Sequence, residues 1–206
     1  MSGPRYHHGD LRPTLLREAT TMLREGGVEA LTLRKLAERA EVTPPALYHH
    51  FRDKNDLLCA IAERGFAELD ACVTPTTVDD GTSLEERLSR FVHAYVGWAA
   101  EHPESYDLMF GRTIWKIGRP TDSLRAVAFG TFRKYVEQVE GLVGTVALPE
   151  GTNVLRVAQG SWAMLHGLVR LRIDGIYLDT GNLDAMAEEA VRFLLGRLRL
   201  LERGVV

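Results

Sequence analysis

Cysteine is nearly absent from this chain, with two in 206 residues, and neither sign of charge dominates: 25 Lys and Arg stand against 28 Asp and Glu, a net charge of -3. The near balance excludes a polybasic or histone-like protein, although a neutral total can conceal a local basic face. No apolar run approaches the roughly 18 to 20 residues that a membrane span requires. The longest candidate, Phe91 to Ala100, is interrupted by His93. The first ten residues, MSGPRYHHGD, are polar where a secretory signal would carry an apolar core, which predicts a cytoplasmic protein. Cys59 and Cys72 fall within one predicted helix, roughly 20 Å apart at about 1.5 Å of rise per residue, too far for a disulfide. Neither belongs to a CxxC pair, so no structural zinc is expected, and adjacent His49 and His50 would point in different directions on a helix.

What is present is 45% hydrophobic residues in helical periodicity. Leu11, Leu15, Leu16, Ala19, Met22 and Leu23 recur at steps of three and four and stop at Gly26-Gly27, predicting a helix from Asp10 to Glu25. Thr32 is a predicted N-cap for a short helix Leu33 to Ala40, Glu41-Val42-Thr43 a turn, and Thr43 the cap of a second short helix from Pro44 to His50. Pro44 and Pro45 suit a first helical turn, whose amides have no intrahelical acceptor. Asp53 is the predicted cap of a longer helix from Lys54 to Cys72, and Thr74 to Ser83, rich in Thr, Asp, Pro and Gly, forms the clearest linker.

Further helices are expected over Leu84 to Glu101, Pro103 to Phe110, Asp122 to Val146, Thr152 to Ile173 and Leu183 to Glu202. No useful strand alternation, low complexity or repeat occurs. The expected architecture is all-α, about nine helices, with a three-helix helix-turn-helix domain at 1–53 and a larger domain at 54–206, the helix from Lys54 linking the two.

The segment LTLRKLAERAEVTPPALYHHFRDK, Leu31 to Lys54, has the grammar of a DNA reader: an amphipathic helix, a tight turn holding Val42, and a second slim helix. Major-groove reading requires such a helix with polar tips near its start and cations on either side. Arg34, Lys35, Thr43, Tyr48, His49 and Lys54 supply these, while Leu47 and Phe51, four apart, face a core.

These residues resemble the TetR family of transcriptional regulators: Gly26-Gly27 ending a helix, Thr32 capping the next, Leu36-Ala37, Val42 in the turn, and Tyr48-His49-His50-Phe51-Arg52-Asp53-Lys54 at the close. The resemblance implies that Tyr48 and Lys54 grip phosphates and that Arg34 reaches a base edge or a phosphate. It places Thr43, Pro45 and His49 at the reading surface and His50 beside the backbone, and Thr32 and Pro44 complete the expected DNA-binding set. Two features depart from the pattern. Glu41 occupies the usual glycine of the turn, so a non-glycine is expected in a left-handed conformation. The proline pair leaves fewer amides for a phosphate, so readout leans on side chains. The arm Arg5 to His8 is expected to reach an adjacent groove or to remain disordered.

For the remaining two-thirds the family implies a small-molecule cavity and a dimer. The aromatics Trp98, Tyr106, Phe110, Trp115, Phe129, Phe132 and Trp162, with His166, are the expected lining for a small apolar or aromatic effector. Trp162 and His166-Gly167 resemble the Trp-His-Gly signature of one subgroup. Leu165, Val169, Leu194, Leu198 and Leu201 are the expected homodimer face. No catalytic constellation, cofactor or metal is expected. The function this implies is a repressor released from a palindromic double-stranded operator by its effector. The alternative is a helical small-molecule binding protein of the same fold that has lost DNA binding.

Overall fold

Helix α1 (Leu11–Ala30) in this computed structural model buries Leu15, Leu16, Ala19, Met22 and Leu23, the stripe expected from their spacing. The structure describes residues 11–74, 81–143, 151–177 and 181–202. The helical path of α1 breaks at Gly27, whose φ of 68° and ψ of -174° interrupt it before Ala30. After it come α2 (Leu33–Arg39), α3 (Pro44–Tyr48), α4 (Lys54–Val73), α5 (Leu84–Glu101), α6 (Pro103–Phe110), α7 (Asp122–Val143), α8 (Val154–Ile173) and α9 (Leu183–Glu202). The described residues are thus all-α, as expected. No helix among them is long and apolar enough to cross a membrane. The arm Arg5 to His8, most of the Thr74–Ser83 linker and the expected end of α7 at Val146 lie outside the described residues.

Thr32 caps α2 as its sequence position predicts, its side chain accepting from the Lys35 amide at 3.2 Å. Thr43 differs from expectation. It occupies the cap position of α3, but its hydroxyl makes no capping bond. Pro44 and Pro45 at N1 and N2 have removed two of the amides that a cap would serve. The reading helix is also shorter than predicted, ending at Tyr48 instead of His50. A single π-helical turn, Thr113–Ile117, has no counterpart in the sequence reading.

The turn between α2 and α3 closes by a Schellman pattern: the Val42 amide donates to the Ala37 carbonyl at 3.0 Å and the Glu41 amide to that of Glu38 at 3.2 Å. Glu41 stands at the left-handed position, with φ of 53°. The end of α8 uses the same two bonds, from Ile176 to Leu171 and from Gly175 to Arg172, with Gly175 at φ of 68°. One chain thus builds one motif with glycine and with glutamate. A left-handed non-glycine costs about 1–2 kcal/mol, partly offset because glycine has more unfolded-state freedom to lose. Glu41→Gly is therefore expected to stabilise the protein by up to about 1 kcal/mol in urea denaturation. A loss of stability would contradict the strain assigned to this turn.

The chain divides into two compact units. The first joins residues up to Phe66 with Glu104–Val127. Arg39 holds α2 to α1 through Glu18, at 2.9 Å, and Glu25. Leu47 and Phe51 are buried, with Arg12 lying 5.4 Å over the Phe51 ring. The returning segment grips α4. Asn55 Nδ2 donates to the Arg119 carbonyl at 2.8 Å, Thr121 Oγ1 donates to Glu63 at 3.2 Å, and Phe110 packs edge-on against Phe66.

The second unit joins Ala67–Pro103 with Ala128–Val206. Here α5 starts with a capping box between Ser83 and Glu86 and packs against both α8 and α9. Across α5, α7 and α8 the unit is filled by aromatic rings, with Trp162 edge-on to Tyr135 at 4.8 Å, to Phe132 at 5.5 Å and to Tyr95 at 6.1 Å. Both cysteines are free, Cys59 buried and Cys72 exposed, and burial raises both thiols above their ordinary value.

Candidate functional site

Two places in the described residues can do chemistry, one in each unit. The first is the exposed side of α3. With five residues the helix turns only once or so, and burying Leu47 and the following Phe51 forces its other positions outward. Pro44, Pro45, Tyr48 and His49 are exposed, and Tyr48 retains 56% of its surface. A tyrosine left this open beside a well-packed core offers a ring and a hydroxyl to a partner.

The flanking groups are arranged differently from one another. Thr32 and Thr43 are exposed, and Arg34 is an exposed cation whose Nε donates to Glu38 at 3.2 Å. His50 is half-buried, its ring 6.5 Å from that of Phe51. Lys54 Nζ donates to the Val28 carbonyl at 2.6 Å, tying the start of α4 to the chain just after α1 breaks. An ammonium has three donors, so this bond leaves two for a phosphate.

The second place is a cavity of about 590 Å³ among α5, α7, α8 and α9 of the larger unit. Phe91, Tyr135 and Leu201 are buried parts of its wall, whereas Phe193 is 67% exposed. Its size suits a drug-sized molecule. None of the eight residues expected to line a cavity belongs to this wall. Tyr106, Phe110 and Trp115 lie in the first unit instead, where Trp115 Nε1 donates to the Met109 carbonyl at 2.6 Å. Trp98 stacks on His102 at 4.8 Å, Phe132 and Trp162 belong to the aromatic cluster, and Phe129 is 64% exposed. His166 is half-buried, and burial, with Arg170 nearby, lowers its pKa, which favours the neutral ring. Local spacing marked these as apolar; it carried no signal of which space they border.

The expected dimer face also needs revision. Leu165, Val169 and Leu201 are buried within the chain, where they pack on their own core, and Leu194 and Leu198 line the cavity. The large apolar residues that α8 and α9 leave exposed are Leu155, Leu171, Phe193 and Leu200.

Tyr135 brings a titrating group to the cavity wall. Burial pushes its phenol up to about 12 from an ordinary 10, with the Ser161 bond opposing the rise. Because the folded value lies above the unfolded one, the neutral phenol's contribution is complete below about pH 10 and is lost as pH rises towards 12. Stability measured by urea denaturation is expected to fall across that window, and Tyr135→Phe to flatten the fall. An unchanged slope in the variant would show that other groups govern it.

Comparison with known proteins agrees with this division. The family described as bacterial regulatory proteins, tetR family, matches residues 15–61, and the tetracyclin repressor-like C-terminal domain matches 88–195, more than half of the chain. The class A tetracycline repressor protein from transposon 1721 of Escherichia coli is 50% identical over 71 residues, 34% of this chain and 33% of that protein. The class C tetracycline repressor protein of Escherichia coli is 43% identical over 143 residues, 62% of this chain and 65% of that protein. The chain thus spans less than two thirds of the length of these curated relatives. A solved structure of a protein of unknown function from Rhodococcus sp. RHA1 aligns over 97% of this chain and 100% of its own, with TM-score 0.80 and 30% identity. By its helix-turn-helix segment, its all-α fold and these matches, the chain belongs to the tetR family of bacterial regulatory proteins.

Proposed function

We propose that the protein is a sequence-specific DNA-binding regulator, a homodimeric repressor that occupies a palindromic operator and leaves it on binding a small apolar effector. The observation that carries this reading is α3, where Tyr48 and His49 stand exposed above a core sealed by Leu47 and Phe51. Tyr48 and Lys54 hold phosphates, Thr43, Pro45 and His49 meet base edges, and Arg34 leaves Glu38 for DNA. One such helix offers little interface, and pairing two copies doubles it and sets the half-site spacing. The exposed Leu155, Leu171, Phe193 and Leu200 of α8 and α9 supply the apolar surface for pairing. The protein works in the cytoplasm, where DNA and effector meet it, and it acts as a regulator in place of an enzyme.

Effector control follows from the chain path. The first turns of α4 and α7 belong to the reading unit, and their later turns to the unit that holds the cavity. Tyr135 and Val139 of α7 line that cavity. A ligand that binds better to one position of α7 shifts the population of reader positions by its difference in affinity, and by no more.

The test is selection from random double-stranded DNA at about 50 and 200 mM salt. A palindrome with half-sites one helical turn, about 34 Å, apart and a steep loss of affinity with salt is the expected result. Absence of enrichment at either salt would replace this reading by that of a ligand-binding protein without DNA. The intact Schellman turn at Glu41, which keeps α2 and α3 in helix-turn-helix order, argues against that outcome.

A further inference from the structure

The cavity of the larger unit distinguishes between ligands by charge. Its interior wall is apolar, with Leu88, Phe91, Val139, Leu142 and Leu201 all buried. The hydroxyls of Tyr135 and Ser161 share this wall, and their protons are already committed. Ser161 Oγ lies 2.9 Å from the Val157 carbonyl oxygen and 3.1 Å from that of Ala158. A carbonyl cannot donate, so Ser161 donates its only proton there, and the Tyr135 hydroxyl donates to Ser161 Oγ at 2.7 Å. Neither hydroxyl has a donor left for a ligand. An anionic group placed against this wall would lose its hydration without compensation.

The rim of the cavity is the reverse. Arg156 and Arg197 line it and are exposed, and among the described residues no Asp or Glu is part of the lining. The Arg156 guanidinium donates to the neutral Gln159 Oε1 at 2.7 Å, and Arg197 has no ion pair among the described residues. Other arginines of the same two helices are neutralised: Arg170 by Asp174, Arg192 by Glu189, and Arg199 by Glu85. Arg172 lies in the last turn of α8, whose negative end favours a cation. The two rim arginines therefore carry positive charge that no carboxylate among the described residues of the cavity wall offsets. Asn153, at the positive end of α8, lies on the same rim.

We propose that the cavity takes an elongated apolar molecule with a single carboxylate head, the body against the apolar wall and the head at Arg156 and Arg197. The proposal rests on the effector reading given above and narrows it to one chemical class. A cationic amphiphile of the same length would meet two guanidinium groups and, among the described residues, no carboxylate. A neutral one would gain the apolar contacts but nothing at the rim.

The experiment titrates the full-length protein calorimetrically with decanoate, 1-decanol and decyltrimethylammonium, each below its aggregation limit. Decanoate is expected to bind at least tenfold more tightly than decanol, and the cation not measurably. In the Arg156→Ala/Arg197→Ala double variant, decanoate should fall to the level of decanol while decanol is unchanged. Both side chains are exposed, so the variant is expected to fold, and circular dichroism verifies it. Equal binding of acid and alcohol, full decanoate affinity in the double variant, preference for the cation, or no binding by any of the three would each overturn the proposal. Operator binding is measured on the same preparations. Specific DNA binding without decanoate binding would overturn the carboxylate assignment alone, whereas absence of specific DNA binding would overturn the regulator reading.

Discussion

Phe51→Ala is expected to destabilise the reading unit by about 3–5 kcal/mol and to abolish specific DNA binding with it. The ring is 1% exposed, immediately after α3 and before α4, with Arg12 stacked over it. Removing it opens a void that α3 is too short to close, because a five-residue helix has no other buried large side chain than Leu47 to hold it down. Urea denaturation followed by far-UV circular dichroism, with amide hydrogen exchange in residues 11–66, reads the effect. A loss below about 1 kcal/mol would show that the reader is held by something other than this core.

Three residues earlier, the opposite outcome is expected. Tyr48→Ala should leave stability within about 0.5 kcal/mol, since a mostly exposed ring contributes little to packing. DNA affinity should nevertheless fall by about 1–3 kcal/mol, or roughly 5- to 150-fold, in equal measure on all sequences if the ring and hydroxyl hold phosphate. Tyr48→Phe isolates the hydroxyl. His49→Ala is the contrasting variant: if His49 meets a base edge, its loss relaxes preference at one operator position and spares the rest. Binding by Tyr48→Ala equal to that of the parent would remove α3 from the DNA interface. Lys54 is a less clean probe than its sequence position suggests, because its bond to the Val28 carbonyl means that truncation disturbs the fold and the contact together.

Glu41 and Glu25 illustrate how local signals and distant ones combine in the reader. The left-handed position of Glu41 follows from its place after a capped short helix and could be anticipated from the turn pattern. Its tolerance depends on α2 being anchored elsewhere. Arg39 provides that anchor by reaching Glu18 and Glu25 on α1, and hydrogen bonding to Arg39 holds the Glu25 carboxyl below its usual range. No spacing rule pairs residues 14 and 21 positions apart.

The sequence by itself determined which segments are α-helical, the cap at Thr32, the burial of Leu47 and Phe51, and the helix-turn-helix order. Each of these depends on residues within a turn or two of one another, where periodicity, proline and glycine act directly. The tertiary structure alone decided where the cavity lies and what borders it. Tyr106, Phe110 and Trp115 pack in the unit that contains the reader, while Trp162 fills the aromatic centre of the other. The cavity falls instead to Leu88, Val139, Met164 and their neighbours on four separate helices. A stripe at steps of three and four states that one face of a helix is covered, not what covers it. That is why Leu165 and Val169, expected at a dimer surface, are buried in their own chain, while Phe193 and Leu200 on the next helix stay exposed. An empty space between helices is a property of how they pack, and no single helix encodes it.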